Sequence, residues 1–230
     1  MKRNQSGFTL IEIAIVLVII GLLLGGVLKG QELINSARVK NLATDFKNIP
    51  VFIYGYQDKF KSLPGDDAAV TTHITGGTLS TTGGTPGNGV IEGAWNSTTQ
   101  TEESYLFWQH VRLAGLAPGS TTAGAADYLP TNASGGTIGI QSGTTTVANV
   151  PMFSGPGTTN PIRGTYVICS TSILGKFVKQ LDIQMDDGNT ATGSMMAAPT
   201  TGYVIGTATA VATPTASIDD ATTYTVCMGV

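Results

Sequence analysis

Glu12 is a carboxylate inside a segment built to exclude charge. Between Phe8 and Leu28 lie 21 residues, and Glu12 is the one charged side chain among them. At a helical rise of about 1.5 Å per residue the run is about 30 Å long, the thickness of a bilayer core. A carboxylate there costs about 2.5–3.5 kcal/mol on insertion scales, so a partner for it is expected. A second acidic group comprises Asp182, Asp186 and Asp187, with Asn189 two residues further on. Clustered carboxylates with an amide oxygen suit a hard cation such as calcium. The spacing is not that of an EF-hand loop, and Asp187-Gly188 is also a hairpin-turn signal, so turn and cation site both stand as readings. Cys169 and Cys227 are the two cysteines. Neither has a second Cys or His at metal-ligand spacing. An even count on the outer side of a membrane suggests a disulfide, with two free buried thiols as the alternative.

Little else has the look of reaction chemistry. His73 and His110 are far apart and belong to no metal or triad motif. The many Ser and Thr residues form no nucleophile motif, so no catalytic residue is assigned and no enzyme is expected. Gly87-Asn88-Gly89-Val90-Ile91-Glu92-Gly93 superficially resembles a dinucleotide fingerprint. Its third glycine is one residue late and no strand–helix context surrounds it. The chain has 12 basic and 15 acidic residues, and only 12% of residues are charged, about half the usual share. That balance gives no support for nucleic-acid binding, which draws on clustered Lys and Arg.

The elements that must position these groups follow from periodicity. After Leu28 the apolar pattern narrows to Leu33, Ala37, Leu42, Phe46, Ile49, Ile53, Tyr56 and Phe60, the stripe of an amphipathic helix continuing from the apolar run. Lys47, Lys59 and Lys61 fall on or near its polar face. Pro50 should kink it, and Leu63-Pro64-Gly65-Asp66 should end it. Gly21, Gly25 and Gly26 allow either close helix packing or local loosening. Residues 71–101 read as an extended Thr/Gly/Ser-rich surface loop. Glu102 to Leu113 reads as a helix with core aromatics, capped by Gly115. From Tyr128 onward strands are expected at 137–140, 145–150, 165–169, 181–185, 203–211 and 222–227, with a short helix over 172–179. The sheet would pack on the amphipathic half of the first helix.

The N-terminus carries a specific pattern. A removable signal peptide is disfavoured, because the apolar run is too long and the chain continues as Lys29-Gly30-Gln31-Glu32 without a small-residue cleavage site. An ordinary membrane anchor explains neither Glu12 nor Gly7. Met1-Lys2-Arg3-Asn4-Gln5-Ser6-Gly7 followed by Phe8-Thr9-Leu10-Ile11-Glu12 resembles the class III signal of type IV pilins and type II secretion pseudopilins. The resemblance covers about residues 1–63; beyond that only the layout is similar.

That resemblance implies an α+β, pilin-like fold: a long N-terminal α-helix packed on an antiparallel β-sheet head with long loops. It divides the chain into a leader (1–7), a transmembrane or filament-core helix (8–28), an amphipathic helix (29–63) and a β-rich head (64–230). A prepilin peptidase would cut after Gly7 and methylate the amine of Phe8. Loss of Lys2 and Arg3 leaves 10 basic against 15 acidic residues, a net charge of −5. Glu12 of one subunit would pair with the Phe8 amine of the next, since a buried carboxylate and ammonium are less costly together than apart. The resemblance favours the Cys169–Cys227 bond. Its implied partners are copies of the chain or other pilins, the peptidase and an inner-membrane assembly platform. The implied location is the inner membrane with a cytoplasmic N-terminus, then a periplasmic or extracellular filament. No cofactor is implied beyond the calcium reading at Asp182, Asp186, Asp187 and Asn189, which some pseudopilins resemble. The expected function is a structural subunit of a pilus-like filament. A secretion pseudopilin, or a minor or tip pilin with an adhesive head, are the alternatives. Many major type IV pilins have a proline soon after the apolar segment; its absence before Pro50 leans toward a pseudopilin or another filament type.

Overall fold

The computed structural model describes residues 9–230 and comprises two compact units, one ending at Arg38 and one running from Val39 to Val230. The first helix, α1, runs from Leu10 to Phe60 and contributes to both. Its first unit has no buried side chain between Thr9 and Arg38, and large apolar residues such as Leu10, Leu22 and Leu28 stand open. Among the described residues, a Cβ added at Gly21, Gly25 or Gly26 would meet nothing within 4 Å, so no contact among them requires their small size.

In the second unit the helix becomes one-sided. Val39, Leu42, Ala43, Phe46, Ile49, Ile53 and Tyr56 are buried, a stripe with steps of three and four. Leu33 and Ala37, expected to open this stripe, are exposed, so burial begins at Val39. The helix passes through Pro50 without interruption and stops at Phe60. Lys61 then takes a left-handed conformation (φ 58°) while its N–H still donates to the Gln57 carbonyl. Gly65 follows with φ 91°; a Cβ there would lie 2.4 Å from the Glu103 carbonyl oxygen, so the close approach of the chain to the next long helix needs glycine.

The remaining elements are α2 (Val70–His73), α3 (Glu103–Leu113), β1 (Ile138–Ser142), β2 (Tyr166–Leu174), α4 (Gly175–Met185), β3 (Met195–Pro199) and β4 (Thr223–Gly229). The strands form one antiparallel sheet in the order β1-β2-β4-β3. Strand alternation sorts the side chains onto two faces. Tyr166 and Ile168 of β2 with Tyr224, Val226 and Met228 of β4 join the α1 stripe, Phe107 and Val111 of α3, and Phe177, Val178 and Leu181 of α4 in the main core. Val167, Cys169, Met196, Ala198 and Cys227 point the other way, into a smaller core with Trp95, Met152, Ile162 and Ala212. The fold is α+β, with a sheet covered on both sides.

Several expected strands take other forms. Residues 145–150 hold a 3-10 turn at Val147–Asn149, and 203–211 hold turns and a second 3-10 segment at Ala208–Ala210. Residues 181–185 belong to α4, because Phe177, Val178 and Leu181 repeat at helical spacing toward the core. β3 replaces them; its Met-Met-Ala-Ala-Pro sequence has no β-branched residue to announce a strand. β2 and β4 shift register between Ser170 and Ile173, where Ser172 has φ 60°.

Cys169 and Cys227 face each other across β2 and β4 and are disulfide-bonded. They are 58 residues apart in sequence, a loop whose closure is worth about 4 kcal/mol in the chain-entropy account. Reduction, or Cys227→Ser, should lower the melting temperature of the full chain in detergent by several degrees; an unchanged midpoint would show that the sheet does not need the bond.

Candidate functional site

The apolar segment opens with a reciprocal cap. The Glu12 carboxylate accepts from the Thr9 backbone N–H (2.8 Å) and from the Thr9 hydroxyl (2.7 Å). The Glu12 N–H in turn faces Thr9 Oγ1 at 3.4 Å. This is a capping box, which satisfies donors that every helix leaves orphaned at its start. The sequence reading assigned Glu12 to a neighbouring subunit and missed this local partner, although Thr9-x-x-Glu12 is its signature. Gly7 and Phe8, the residues read as the cleavage and methylation positions, lie outside the described residues. At the other end of the run, Lys29 and Glu32 form an exposed ion pair at 2.6 Å.

In the second unit the loop read as a weak nucleotide fingerprint has a physical role. The N–H groups of Gly87, Asn88 and Gly89 all donate to the carboxylate of Asp66, at 2.5, 3.2 and 2.7 Å. The loop is a backbone anion nest, and its anion is the chain's own aspartate. Asp66 is almost fully buried, and burial pushes its pKa up even against the three donors. Ile91 and Trp95 are buried as well, so residues 71–101 are pinned to the core rather than lying free on the surface.

Next to this nest stands Glu103 at the start of α3, with no exposed surface. Its Oε2 accepts from the Glu92 N–H at 2.8 Å, while Oε1 has no partner among the described residues. Burial, reinforced by the charges of Asp66 and Glu92, pushes its pKa up to about 7. The histidines do not meet as a catalytic pair. His73 Nδ1 lies 2.7 Å from Asp67, which also accepts from the Tyr56 hydroxyl. Burial raises the Asp67 pKa, but these two partners bring it below the ordinary carboxylate value. His110 is enclosed, with Nδ1 accepting from the Gly65 N–H and Nε2 on the Thr78 carbonyl, and burial lowers its pKa.

The structure brings the three carboxylates of the second acidic group together. Asp182 and Asp186, four apart at the end of α4, and Asp187 just beyond place carboxylate oxygens within 4.8 Å of one another. Asn189 lies in the turn that follows: its side-chain oxygen accepts from the Ala191 N–H, and its own N–H donates to Asp187.

Residues 2–28, which include the capped Glu12, match the family described as the prokaryotic N-terminal methylation motif, the signature of type IV pilins and pseudopilins. The chain carries a prepilin-type N-terminus. No curated protein and no solved structure matches the chain. The prepilin-type segment accordingly rests on its own residues, and the head on its own geometry.

Two outcomes follow. Asp66→Ala removes the acceptor shared by three N–H groups and should cost about 1–3 kcal/mol; limited proteolysis should then cut within 75–101 sooner than in the parent chain. For Glu103 the folded pKa of about 7 exceeds the ordinary 4.5. Its contribution is therefore full below about pH 4.5 and lost as pH rises toward 7. Glu103→Gln should melt higher than the parent at pH 8 and lose that advantage at pH 4.5; equal midpoints at both pH values would contradict the assignment.

Proposed function

We propose that this protein is a structural subunit of a type IV pilus-like extracellular filament, polymerised through its N-terminal helix. The observation that carries the reading is the unburied apolar face of residues 10–28, joined to a prepilin-type signal that holds one capped carboxylate. A prepilin peptidase cuts between Gly7 and Phe8 and methylates the new amine. The helix then anchors the subunit in the inner membrane with its N-terminus toward the cytoplasm, as the basic leader favours. An assembly platform passes it into the filament, where neighbouring copies or other pilins cover the apolar face. Glu12 exchanges its bonds with Thr9 for the Phe8 amine of a neighbour, which fixes the axial register. The chain's work is mechanical rather than enzymatic.

One observation favours a second reading. The helix runs without a proline from Leu10 to Asn48 and continues past Pro50. A proline-free first half suits a secretion pseudopilus or another filament type better than a flexible pilus.

Glu12→Ala is the test. The variant should still fractionate with the inner membrane, because the apolar run is unchanged, and sheared filament material should fall at least about tenfold, the equivalent of about 1.4 kcal/mol. Filaments at the parent's level would contradict the register role.

A further inference from the structure

We propose that a cavity between α1 and α3 binds a small organic amine, held by Asp45 at its cationic end and by the Trp108 indole N–H at a hydrogen-bond acceptor on its apolar body. The cavity has a volume of about 170 Å³. Ile49 and Phe52 of α1, Pro118, Pro130 and Ile138 of β1 supply its apolar walls. A polar recess of about 320 Å³ adjoins it and shares Asp45 and Thr131 with it. For scale, an apolar cavity of about 150 Å³ takes one benzene ring.

Two polar groups that line this cavity lack partners. Trp108 is 3% exposed, and its Nε1 is buried with no acceptor among the described residues. A buried N–H is normally paired, with protein or with a bound molecule. The other tryptophan obeys that rule: Trp95 Nε1 donates to the Tyr203 hydroxyl at 3.3 Å. Asp45 is half-buried, and none of the ion pairs among the described residues includes it. Burial alone pushes its pKa up to about 6, with no donor or cation to bring it back. The cation on the same wall is Arg112, and it is spent elsewhere. Its guanidinium donates to the carbonyls of Pro118, Ser120 and Tyr128. The chain thus presents one negative charge and one donor around an apolar space and answers neither.

Those groups define the ligand. An ammonium offsets the burial of a carboxylate, because an opposite charge favours its ionised form. A body one ring in size fits between the apolar walls and removes them from water. The indole N–H is a donor only, so the ligand must bring an acceptor to it. An anion is repelled by Asp45, and a neutral molecule leaves that charge unpaired.

Tyramine is the probe, because its ammonium and phenol oxygen lie at opposite ends of one ring. Isothermal titration calorimetry of the full chain in detergent should show saturable binding at one site, with ligand taken to about 10 mM because so small a molecule binds in the millimolar range. Phenethylamine, which lacks the phenol oxygen, should bind about fivefold more weakly, and para-ethylphenol, which lacks the ammonium, at least about tenfold more weakly. Asp45→Asn should lose the preference for tyramine over para-ethylphenol. Trp108→Phe keeps a ring and removes the N–H, so it should bind tyramine and phenethylamine equally. If that variant does not fold, the three probes on the parent chain decide the matter. A folded parent chain without saturable tyramine binding, equal affinity for all three probes, or an Asp45→Asn chain that binds like the parent overturns the site. Filament assembly is not read in this assay, so its outcome is independent of the proposed role in a filament.

Discussion

The apolar half of α1 imposes the governing constraint: none of the described residues buries it. From Leu10 to Leu28 the side chains stand open, with Leu10 at 90% and Leu22 at 72% exposure. Contiguous apolar surface on that scale is rare on soluble monomers and marks a membrane or protein interface. A helix is also the one local structure that satisfies its backbone without water, so the segment is suited to lipid and to a filament interior alike. The Thr9–Glu12 box belongs to the same constraint. It gives an otherwise costly carboxylate a partner within one turn, and in the proposed filament that local partner is exchanged for an intermolecular one.

The second unit is organised by a related rule about buried charge. Asp66 is surrounded by backbone donors, Asp67 by Tyr56 and His73, and Arg112 by the carbonyls of Pro118, Ser120 and Tyr128. Asp66 ties one loop to another, Asp67 ties its loop to α1, and Arg112 ties a loop to α3. Asp182 departs from that pattern: it is fully buried, and the Gly188 N–H is the donor that offsets the burial of its charge. The disulfide meets the same need for long loops: it joins the two central strands on the face away from α1, where the smaller core has fewer large side chains.

Helices α1 and α3 were legible because their signals are long and redundant, whereas the second half of α4 was read as a strand. The stripe from Leu42 to Tyr56 and the aromatic helix ending before Gly115 both lie where periodicity puts them. The sheet was harder to read. Thr-rich runs at 145–150 and 203–211 carry β-propensity but little to bury, and tertiary context turned them into turns. Met195–Pro199 lacks propensity yet is a strand, because β4 supplies its ladder and both cores accept its side chains. The Asp66 nest could not be read from Gly87-Asn88-Gly89 alone, since its anion lies 21 residues upstream. The acidic group at 182–187 was visible as composition; that α4 buries Asp182 completely required the fold.

The central claim is that one N-terminal segment is cut at a defined bond and then kept as the polymerising helix. Mass spectrometry of the N-terminal peptide, from membrane-bound and from assembled protein, tests it directly. The account predicts a chain beginning with N-methylated Phe8 in both pools. A chain that still begins at Met1, or one cut after Leu28, would contradict it.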